Sequence, residues 1–234
     1  MNLSKIIRDY NSFFIKVGLV VFGTVFAPWL WAVNHYLTYS NAIMDAAVIE
    51  YEEILGVRPV LSLEQEVVVW MRLKKYQKLF ANKPQVVLSD YLWVTLNPEV
   101  QNKCRRYLKH NPDGNLMLRL QQMLGLPPME ENRVFVVLKV RHNDLFRPCA
   151  DPDITTTQCG AVSQRGIDEE HALFFTQQVE IAYQQNGYPW TRLGYTYDWH
   201  PNAGDYGASE YVIKKGATVK TVERVPSDLY CMGN

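Results

Sequence analysis

Residues Arg133–Arg141 have the sequence RVFVVLKVR. Its inner positions are apolar and mostly β-branched, whereas a strand with one solvated face would alternate apolar and polar residues. A continuous apolar run of this length is typical of a strand that is buried on both faces. The stretch therefore predicts a strand near the middle of a sheet.

The residues that follow this stretch predict more strands and one long helix. Asp168 is placed to cap a helix that ends at Gly187. Patterns typical of strands follow at Tyr188–Trp199, Ala208–Ile213 and Thr218–Val225. The Lys214-Lys215-Gly216 turn predicts that the last two pair as a hairpin. Residues 129–234 thus predict a small α+β domain with a mainly antiparallel sheet of at least four strands.

The residues that precede it predict three to four helices. Capping residues and glycine or proline stops place their starts at Ser40, Ser62, Asn97 and Leu116. The helix from Ser62 would run to about Ala81, with Lys74, Lys75 and Lys78 on its solvated face. The Pro127-Pro128 pair then separates a helical region, 34–128, from the second half. The predicted fold class is α+β.

An apolar segment at residues 13–33, FFIKVGLVVFGTVFAPWLWAV, precedes both regions. It has the length of a transmembrane helix, and no charge occurs from Val17 to Val33. Lys5 and Arg8 lie before it, whereas no Lys or Arg follows until after Val57. By the positive-inside rule, the tail 1–12 is cytoplasmic and the rest is periplasmic. This pattern predicts a single-pass signal anchor in a bacterial inner membrane.

Two other interpretations of residues 13–33 remain open, a cleaved signal peptide and a buried helix of a soluble protein. Cleavage after Ala27 would place Pro28 next to the cut, and bulky residues precede Ala32. Both sites are poor matches to the small-residue pattern of signal peptidase substrates. The uncleaved anchor is therefore the favoured interpretation.

Composition narrows the class of partner. The chain has 234 residues with 24 basic and 24 acidic side chains, so its formal net charge is zero. A balanced charge gives no electrostatic reason to expect nucleic acid. With the anchor, it favours a membrane protein whose partner is another envelope protein.

Four cysteines lie in the predicted periplasmic part. Cys149 and Cys159 bracket a short polar loop, and a disulfide between them would stabilise that loop by about 3 kcal/mol. Cys104 and Cys231 would then pair with each other or remain as buried thiols. A zinc site is not predicted, since no two cysteines have the close spacing of zinc ligands.

Two polar clusters follow the predicted central strand. The first combines Asp144 and Arg147, which form either a binding site at the strand end or a loop-fixing pair. The second combines Asp151 and Asp153 with Thr155–Thr157, and its oxygens suit either Ca²⁺ or a turn. The calcium-binding glycine and bidentate glutamate are absent, so no metal is predicted.

The segment Tyr195–His200 contains a third candidate. Asp198 lies two residues before His200 and would orient it as the general base of a hydrolase. The interleaved aromatic residues suit either a binding platform or core packing. They are Tyr195, Tyr197 and Trp199.

The segment from Gly207 to Gly216 places Glu210 early in a strand after a glycine-flanked loop. It resembles the last active-site strand of ADP-ribosyltransferases. The resemblance implies an NAD-using site with Arg141 as the strand-borne arginine, Thr196 in the middle motif and Glu210 as the acid. The chain departs from the family at Ala208, where many members have Glu or Gln, and its middle motif is incomplete. A periplasmic location also counts against NAD, which is a cytoplasmic cofactor.

No complete catalytic constellation emerges from these candidates. The sequence therefore predicts a recognition protein without a cofactor, acting by protein–protein contact as an inhibitor, an immunity-type protein or an assembly component. The alternative is an anchored enzyme, either a transferase using Arg141 and Glu210 or a hydrolase using Asp198 and His200. A third possibility is a small-ligand or peptidoglycan-binding module built on Tyr188–Trp199.

Overall fold

A computed structural model describes residue 30, residues 32–163 and residues 166–233. The predicted tail 1–12 lies outside these residues, as does the predicted anchor 13–33 apart from residues 30, 32 and 33. Over the described ranges, no helix has the length and apolar character needed to cross a membrane. Residues 32–38 are helical and belong to an N-terminal unit, and a separate compact unit begins at Tyr39.

The unit that begins at Tyr39 is an α+β fold around one antiparallel sheet, as the sequence predicts. In the described residues the sheet has eight strands in the order β2-β8-β4-β1-β3-β7-β5, and β6 pairs with β7. The strands are β1 (Glu64–Arg72), β2 (Gln85–Val87), β3 (Leu92–Leu96), β4 (Arg133–Arg141), β5 (Leu145–Phe146), β6 (Tyr195–Asp198), β7 (Asp205–Ile213) and β8 (Thr218–Pro226).

The predicted interior position of β4 is confirmed. β4 pairs with β1 along its whole length and with β8 on its other side. Its side chains alternate between two apolar clusters, so that Val136 and Leu138 enter one while Phe135 and Val137 enter the other. Because both faces of the sheet are buried, the sequence of β4 shows no alternation. We call the face of Val136 the inner face and the face of Phe135 the outer face.

The predicted hairpin between β7 and β8 is wrong, because β4, β1 and β3 lie between these strands. In a flat sheet, four strand spacings would separate β7 from β8 by about 19 Å. The turn Lys214–Ala217 is too short to cross that distance unless fully extended. The sheet therefore bends around its inner face, where Ile213 and Val219 join one cluster.

Helices cover parts of the outer face, and one, Leu73–Leu79, packs against the inner-face cluster instead. The helices of this unit are α1 (39–45), α2 (Leu73–Leu79), α3 (Glu99–His110), α4 (Leu116–Met123), α5 (Glu169–Ala182) and α6 (Ser227–Met232). Side chains of α3, α4 and α6 pack together on β4 and β1. Phe174 of α5 packs on Phe146 and Val212, at the β5–β7 edge. The outer face between these two groups of helices is open.

The predicted helix from Ser62 to Ala81 is wrong in its first half. Its first part is strand β1, and only Leu73–Leu79 is helical. Three consecutive valines, Val67–Val69, explain the difference, because β-branched side chains lose rotamer freedom in a helix and pack well in a sheet. Lys74, Lys75 and Lys78 are exposed, as predicted.

Other predicted elements have corrected bounds. The helices at Glu99–His110, Leu116–Met123 and Glu169–Ala182 confirm three predictions, and Asp168 caps the third by accepting a hydrogen bond from the His171 amide. The helix predicted from Ser40 to Leu55 ends at residue 45, and the strand predicted at 188–199 is restricted to Tyr195–Asp198. The predicted boundary at residue 128 does not divide this unit, because β1 and β3 pair with strands that follow it.

The predicted Cys149–Cys159 disulfide is present, and of the two alternatives for Cys104 and Cys231 the structure has the disulfide. Cys149 bonds to Cys159, and Cys104 bonds to Cys231. The second bond joins α3 to α6 across 127 residues of sequence and lies in the outer-face core. Buried free thiols, the alternative for Cys104 and Cys231, are therefore excluded.

Candidate functional site

The open part of the outer face forms a groove with a volume of about 470 Å³. Its floor is the outer face of β1, β3 and β7, and its walls are the loop that follows α4 and the segment that follows α5. We call it the Glu210 groove. Its floor and wall residues include Tyr39, Trp70, Arg72, Trp93, Thr95, Leu124–Pro127, Arg133, Phe135, Gln178, Asn186–Trp190, Thr196, Tyr197 and Glu210.

Strand pairing fixes Glu210 on the floor. Glu210 lies directly opposite Thr95 of β3, and Thr95 lies opposite Val68 of β1. The Glu210 amide donates a 2.9 Å hydrogen bond to the carbonyl oxygen of Gly194, which holds the backbone at this point. Ala208 and Val212, the neighbours of Glu210 on the same face, are fully buried. A carboxyl group therefore occupies a row of otherwise apolar positions.

The Glu210 carboxyl has no hydrogen-bonding or ionic partner among the described residues. Protein surrounds most of the side chain, and its remaining exposed surface faces the groove. Burial without a compensating charge raises the pKa of Glu210 to about 8. The group is consequently protonated in most molecules at pH 7, and it becomes an isolated anion at higher pH.

Aromatic rings surround this end of the groove. Trp93 lies diagonally across from Glu210, two residues along β3 from Thr95, a separation that long side chains can bridge. The ring of Trp93 makes edge-to-face contacts with Tyr188 and Trp190, each with centroids 6.0 Å apart. The hydroxyl of Tyr188 donates to Gln178 Oε1 at 2.6 Å, which fixes the ring against α5. Burial, and then the nearby Glu210 carboxyl, raise the pKa of Tyr188.

The other end of the groove carries a paired positive charge. Arg72 and Arg133 lie opposite each other on β1 and β4, and both form ion pairs with Glu131, at 2.6 and 2.7 Å. Arg133 also donates to the Trp70 carbonyl oxygen, and its guanidinium lies 5.1 Å from the centre of the Trp70 ring. On an unbent sheet, the backbone of Arg72 would lie about 16 Å from that of Glu210.

Arg141 and Glu210 are not brought together. Two strands separate β4 from β7, and the β4 residue on the row of Glu210 is Val137, not Arg141. On an unbent sheet their backbones would be about 20 Å apart. Arg141 is exposed, and its side chain forms a 2.8 Å ion pair with Asp144. The two-residue NAD site implied by the ADP-ribosyltransferase resemblance is therefore wrong.

Asp198 does not orient His200 as the predicted hydrolase would require. Both carboxylate oxygens of Asp198 accept hydrogen bonds from Arg119, at 2.8 and 2.5 Å. The backbone amide of His200, and not its ring, donates a hydrogen bond to Asp198 Oδ1. The ring nitrogen Nδ1 of His200 accepts a hydrogen bond from the Asn202 amide. Burial, and then the Arg119 charge, lower the pKa of His200. The pair stabilises a loop and is not a general-base pair.

Arg147 is fully buried and holds a loop, so its predicted binding role is wrong. Its guanidinium donates to the carbonyl oxygens of Arg58, Asp153, Ile154 and Thr156, at 2.9 to 3.4 Å. These acceptors are backbone oxygens of the disulfide-bounded loop and of the segment that leads to β1. This polar loop has little apolar core of its own, and the hydrogen bonds from Arg147 stabilise it instead.

The predicted aromatic platform is mostly core. Tyr195, Tyr197 and Trp199 are all buried, and their polar atoms donate to Glu53, Asp45 and Leu126, respectively. Only Tyr197 of these three lines the Glu210 groove. Core packing, the alternative to a binding platform, accounts for Tyr195 and Trp199.

The loop with Asp151 and Asp153, for which Ca²⁺ binding and a turn were the two alternatives, is a set of turns. Asp153 Oδ1 accepts from the amide and the hydroxyl of Thr155, and Asp151 Oδ1 accepts from the Asp153 amide. Among the described residues, no three His, Cys, Asp or Glu side chains converge in a metal-binding arrangement. The carboxylate oxygens of Asp151 and Asp153 accept hydrogen bonds from within the loop and so stabilise its turns.

Sequence analysis missed Trp70, Trp93 and Thr95, which form much of the floor. Trp93 and Thr95 are two residues apart in a short strand, and this spacing places both on one face. Trp70 lies in the predicted amphipathic helix Ser62–Ala81, whose first part is strand β1 in the structure. The pairing of β1, β3 and β7 places these residues beside Glu210, and this pairing cannot be predicted from local sequence patterns.

The chain was compared with protein-family models, curated proteins and solved structures, and none of the three comparisons found a match. The geometry of the groove is therefore the basis for assigning a function.

Proposed function

We propose that the chain is a single-pass protein of a bacterial inner membrane that recognises another envelope protein through the Glu210 groove. Residues 13–33 are the anchor, residues 1–12 lie in the cytoplasm, and the unit that begins at Tyr39 is periplasmic. The protein acts as an inhibitor, an immunity-type protein or an assembly component. The observation that carries this proposal is the unpaired carboxyl of Glu210 on the floor of an aromatic groove.

Charge and cysteine chemistry support the location. Lys5 and Arg8 lie on one side of the apolar segment, and the acidic residues Asp45, Glu50 and Glu52 lie on the other. Disulfides such as Cys104–Cys231 persist in the periplasm and are rare in the cytoplasm.

The lining of the groove favours binding over catalysis. An active site needs several polar groups that converge on one point. At the aromatic end, Glu210 is accompanied by Thr95, Tyr188 and Gln178, and each of these three side chains already donates a hydrogen bond or accepts one within the fold. Tryptophan and tyrosine are enriched at the centre of protein–protein interfaces and among the residues that contribute most to binding.

Capture from membranes tests the recognition function. The full chain is purified by affinity from detergent-solubilised membranes as wild type, Glu210→Gln and Glu223→Gln. Glu223 is an exposed glutamate on β8 and serves as the matched control. We expect one envelope protein to co-purify in stoichiometric amount with the wild type and the control, and at least tenfold less with Glu210→Gln. Recovery of the bare chain in all three preparations would overturn the proposal.

The orientation has a separate test. A reporter that is active only in the periplasm is fused after Asn234, and a cytoplasm-only reporter is fused there in a second strain. Activity of the first reporter alone is expected. Activity of the second alone would show that the orientation is wrong.

A further inference from the structure

We propose that the Glu210 groove binds a cationic side chain of its partner, the amine of a lysine or the guanidinium of an arginine. Glu210 acts as the counter-ion, and the half-buried rings of Trp93 and Tyr188 contact the aliphatic stem and the charge. This inference rests on the proposed recognition function, since it names the group that the partner inserts.

Charge complementarity is the first argument. A carboxyl group on the floor of an apolar groove is costly as an anion unless a positive charge compensates for it. Among the described residues no such charge lies near Glu210, because Arg72 and Arg133 lie at the far end of the groove and both form ion pairs with Glu131. A ligand that carries a positive charge would complete the site.

The aromatic rings supply the second argument. The faces of tryptophan and tyrosine rings are electron-rich and attract ammonium and guanidinium groups. Trp93 contacts Tyr188 and Trp190 edge to face, and while Trp190 is buried, Trp93 and Tyr188 are half-buried and line the groove. An anionic ligand would be repelled both by the rings and by the ionised form of Glu210.

The third argument is the protonation state of the site. Burial raises the pKa of Glu210 to about 8, so a cation that binds at pH 7 must displace a proton from most molecules. The other groups around the carboxyl are Thr95 on β3, Gln178 on α5, and the hydroxyl of Tyr188, whose pKa burial raises well above neutrality. Among the described residues that line this end of the groove, Glu210 is thus the one that titrates between pH 6 and 9.

The site is tested with small probes on the full chain in detergent. Nα-acetyl-lysine methylamide and Nα-acetyl-arginine methylamide are the cationic probes, and Nα-acetyl-norleucine methylamide is the neutral control. Binding is followed by tryptophan fluorescence at pH 8.5 and at pH 6. The proteins are wild type, Glu210→Gln, Glu223→Gln and Trp93→Phe, each checked for native disulfides and circular dichroism.

We expect saturable binding of at least one cationic probe, at least tenfold tighter than that of the norleucine probe. Glu210→Gln should abolish this preference, Trp93→Phe should weaken it, and Glu223→Gln should retain it. Binding to the wild type should be at least tenfold tighter at pH 8.5 than at pH 6. Equal binding of the neutral probe, equal binding by Glu210→Gln, or no binding of either cationic probe would overturn the cationic assignment.

The two proposals fail in distinguishable ways. If an envelope protein is captured through Glu210 but no cationic probe binds, recognition stands and the chemistry assigned to the ligand is wrong. If a cationic probe binds but no protein is captured, the site is cation-binding and the recognition function is wrong.

Discussion

Asp198 and Arg119 form a two-bond ion pair in which both carboxylate oxygens accept from the guanidinium, at 2.8 and 2.5 Å. Asp198 is nearly inaccessible to solvent and Arg119 is largely buried. The pair joins α4 to the end of β6, on the far side of the loop that forms one wall of the groove. Because the ion pair is buried, its removal should lower the stability of the fold.

Replacing Arg119 with alanine should lower the free energy of unfolding by about 3–5 kcal/mol, because it leaves a buried carboxylate without its partner. Denaturant titration measures this change. Arg141→Ala is the matched control, since Arg141 is exposed and an ion pair on the surface, such as the one it forms with Asp144, contributes little to stability. Equal effects of the two substitutions would contradict the assignment of Asp198 as a buried structural anion.

Arg147→Met should destabilise the protein by several kcal/mol. The substitution keeps much of the apolar stem but removes the hydrogen bonds that the guanidinium donates to four backbone carbonyl oxygens. The oxygens of Arg58, Asp153 and Ile154 each keep another donor, whereas that of Thr156 is left without one among the described residues, at about 1–3 kcal/mol for a buried group that no water can reach. Thermal unfolding of Arg147→Met is compared with that of Arg224→Met, an exposed position on β8. A loss no larger than that of the control would show that Arg147 does not hold the loop.

The two disulfides should differ in their contribution to stability. Chain-entropy estimates give about 5 kcal/mol for Cys104–Cys231, which closes 127 residues, and about 3 kcal/mol for Cys149–Cys159, which closes 10 residues. The pairs Cys104→Ser/Cys231→Ser and Cys149→Ser/Cys159→Ser are compared by urea titration. If loss of the short loop costs more, the ordering by loop length is wrong for this fold.

Local patterns were sufficient for some elements. The apolar run of Arg133–Arg141 identified an interior strand, and the cap at Asp168 identified the start of α5. These elements are determined by local features of the sequence. The features are the alternation of apolar and polar residues or its absence, the capping side chains, and the glycine or proline residues that end a helix.

Long-range pairing explains most of the errors. β7 and β8 are joined by a short turn and carry strong strand patterns, yet each pairs with strands from the first half of the chain. The sequence identifies Glu210 as a candidate site residue, but it wrongly predicts Arg141 as its partner in the site. Trp93 and Thr95 adjoin it only because β3 inserts between β1 and β7. No local pattern encodes that insertion.

The unpaired state of Glu210 should appear in the pH dependence of stability. Its pKa is raised by burial to about 8 in the folded protein, while that of an unfolded glutamate is about 4.3. Between these values the folded state holds a proton that the unfolded state has lost, so the free energy of unfolding should fall as pH rises, by up to about 1.4 kcal/mol per pH unit. Below the unfolded pKa the contribution is complete, and above pH 8 it is lost.

Glu210→Gln should remove this slope. Glutamine has nearly the same shape and does not ionise, so the variant should be as stable as wild type near pH 4 and more stable at pH 9. Urea titration at intervals between these pH values measures the difference. Glu223→Gln, at an exposed position, should follow the wild type throughout. A Glu210→Gln curve parallel to that of the wild type from pH 5 to 8 would mean that the carboxyl has a partner in solution, and the cation-binding site would lose its main support.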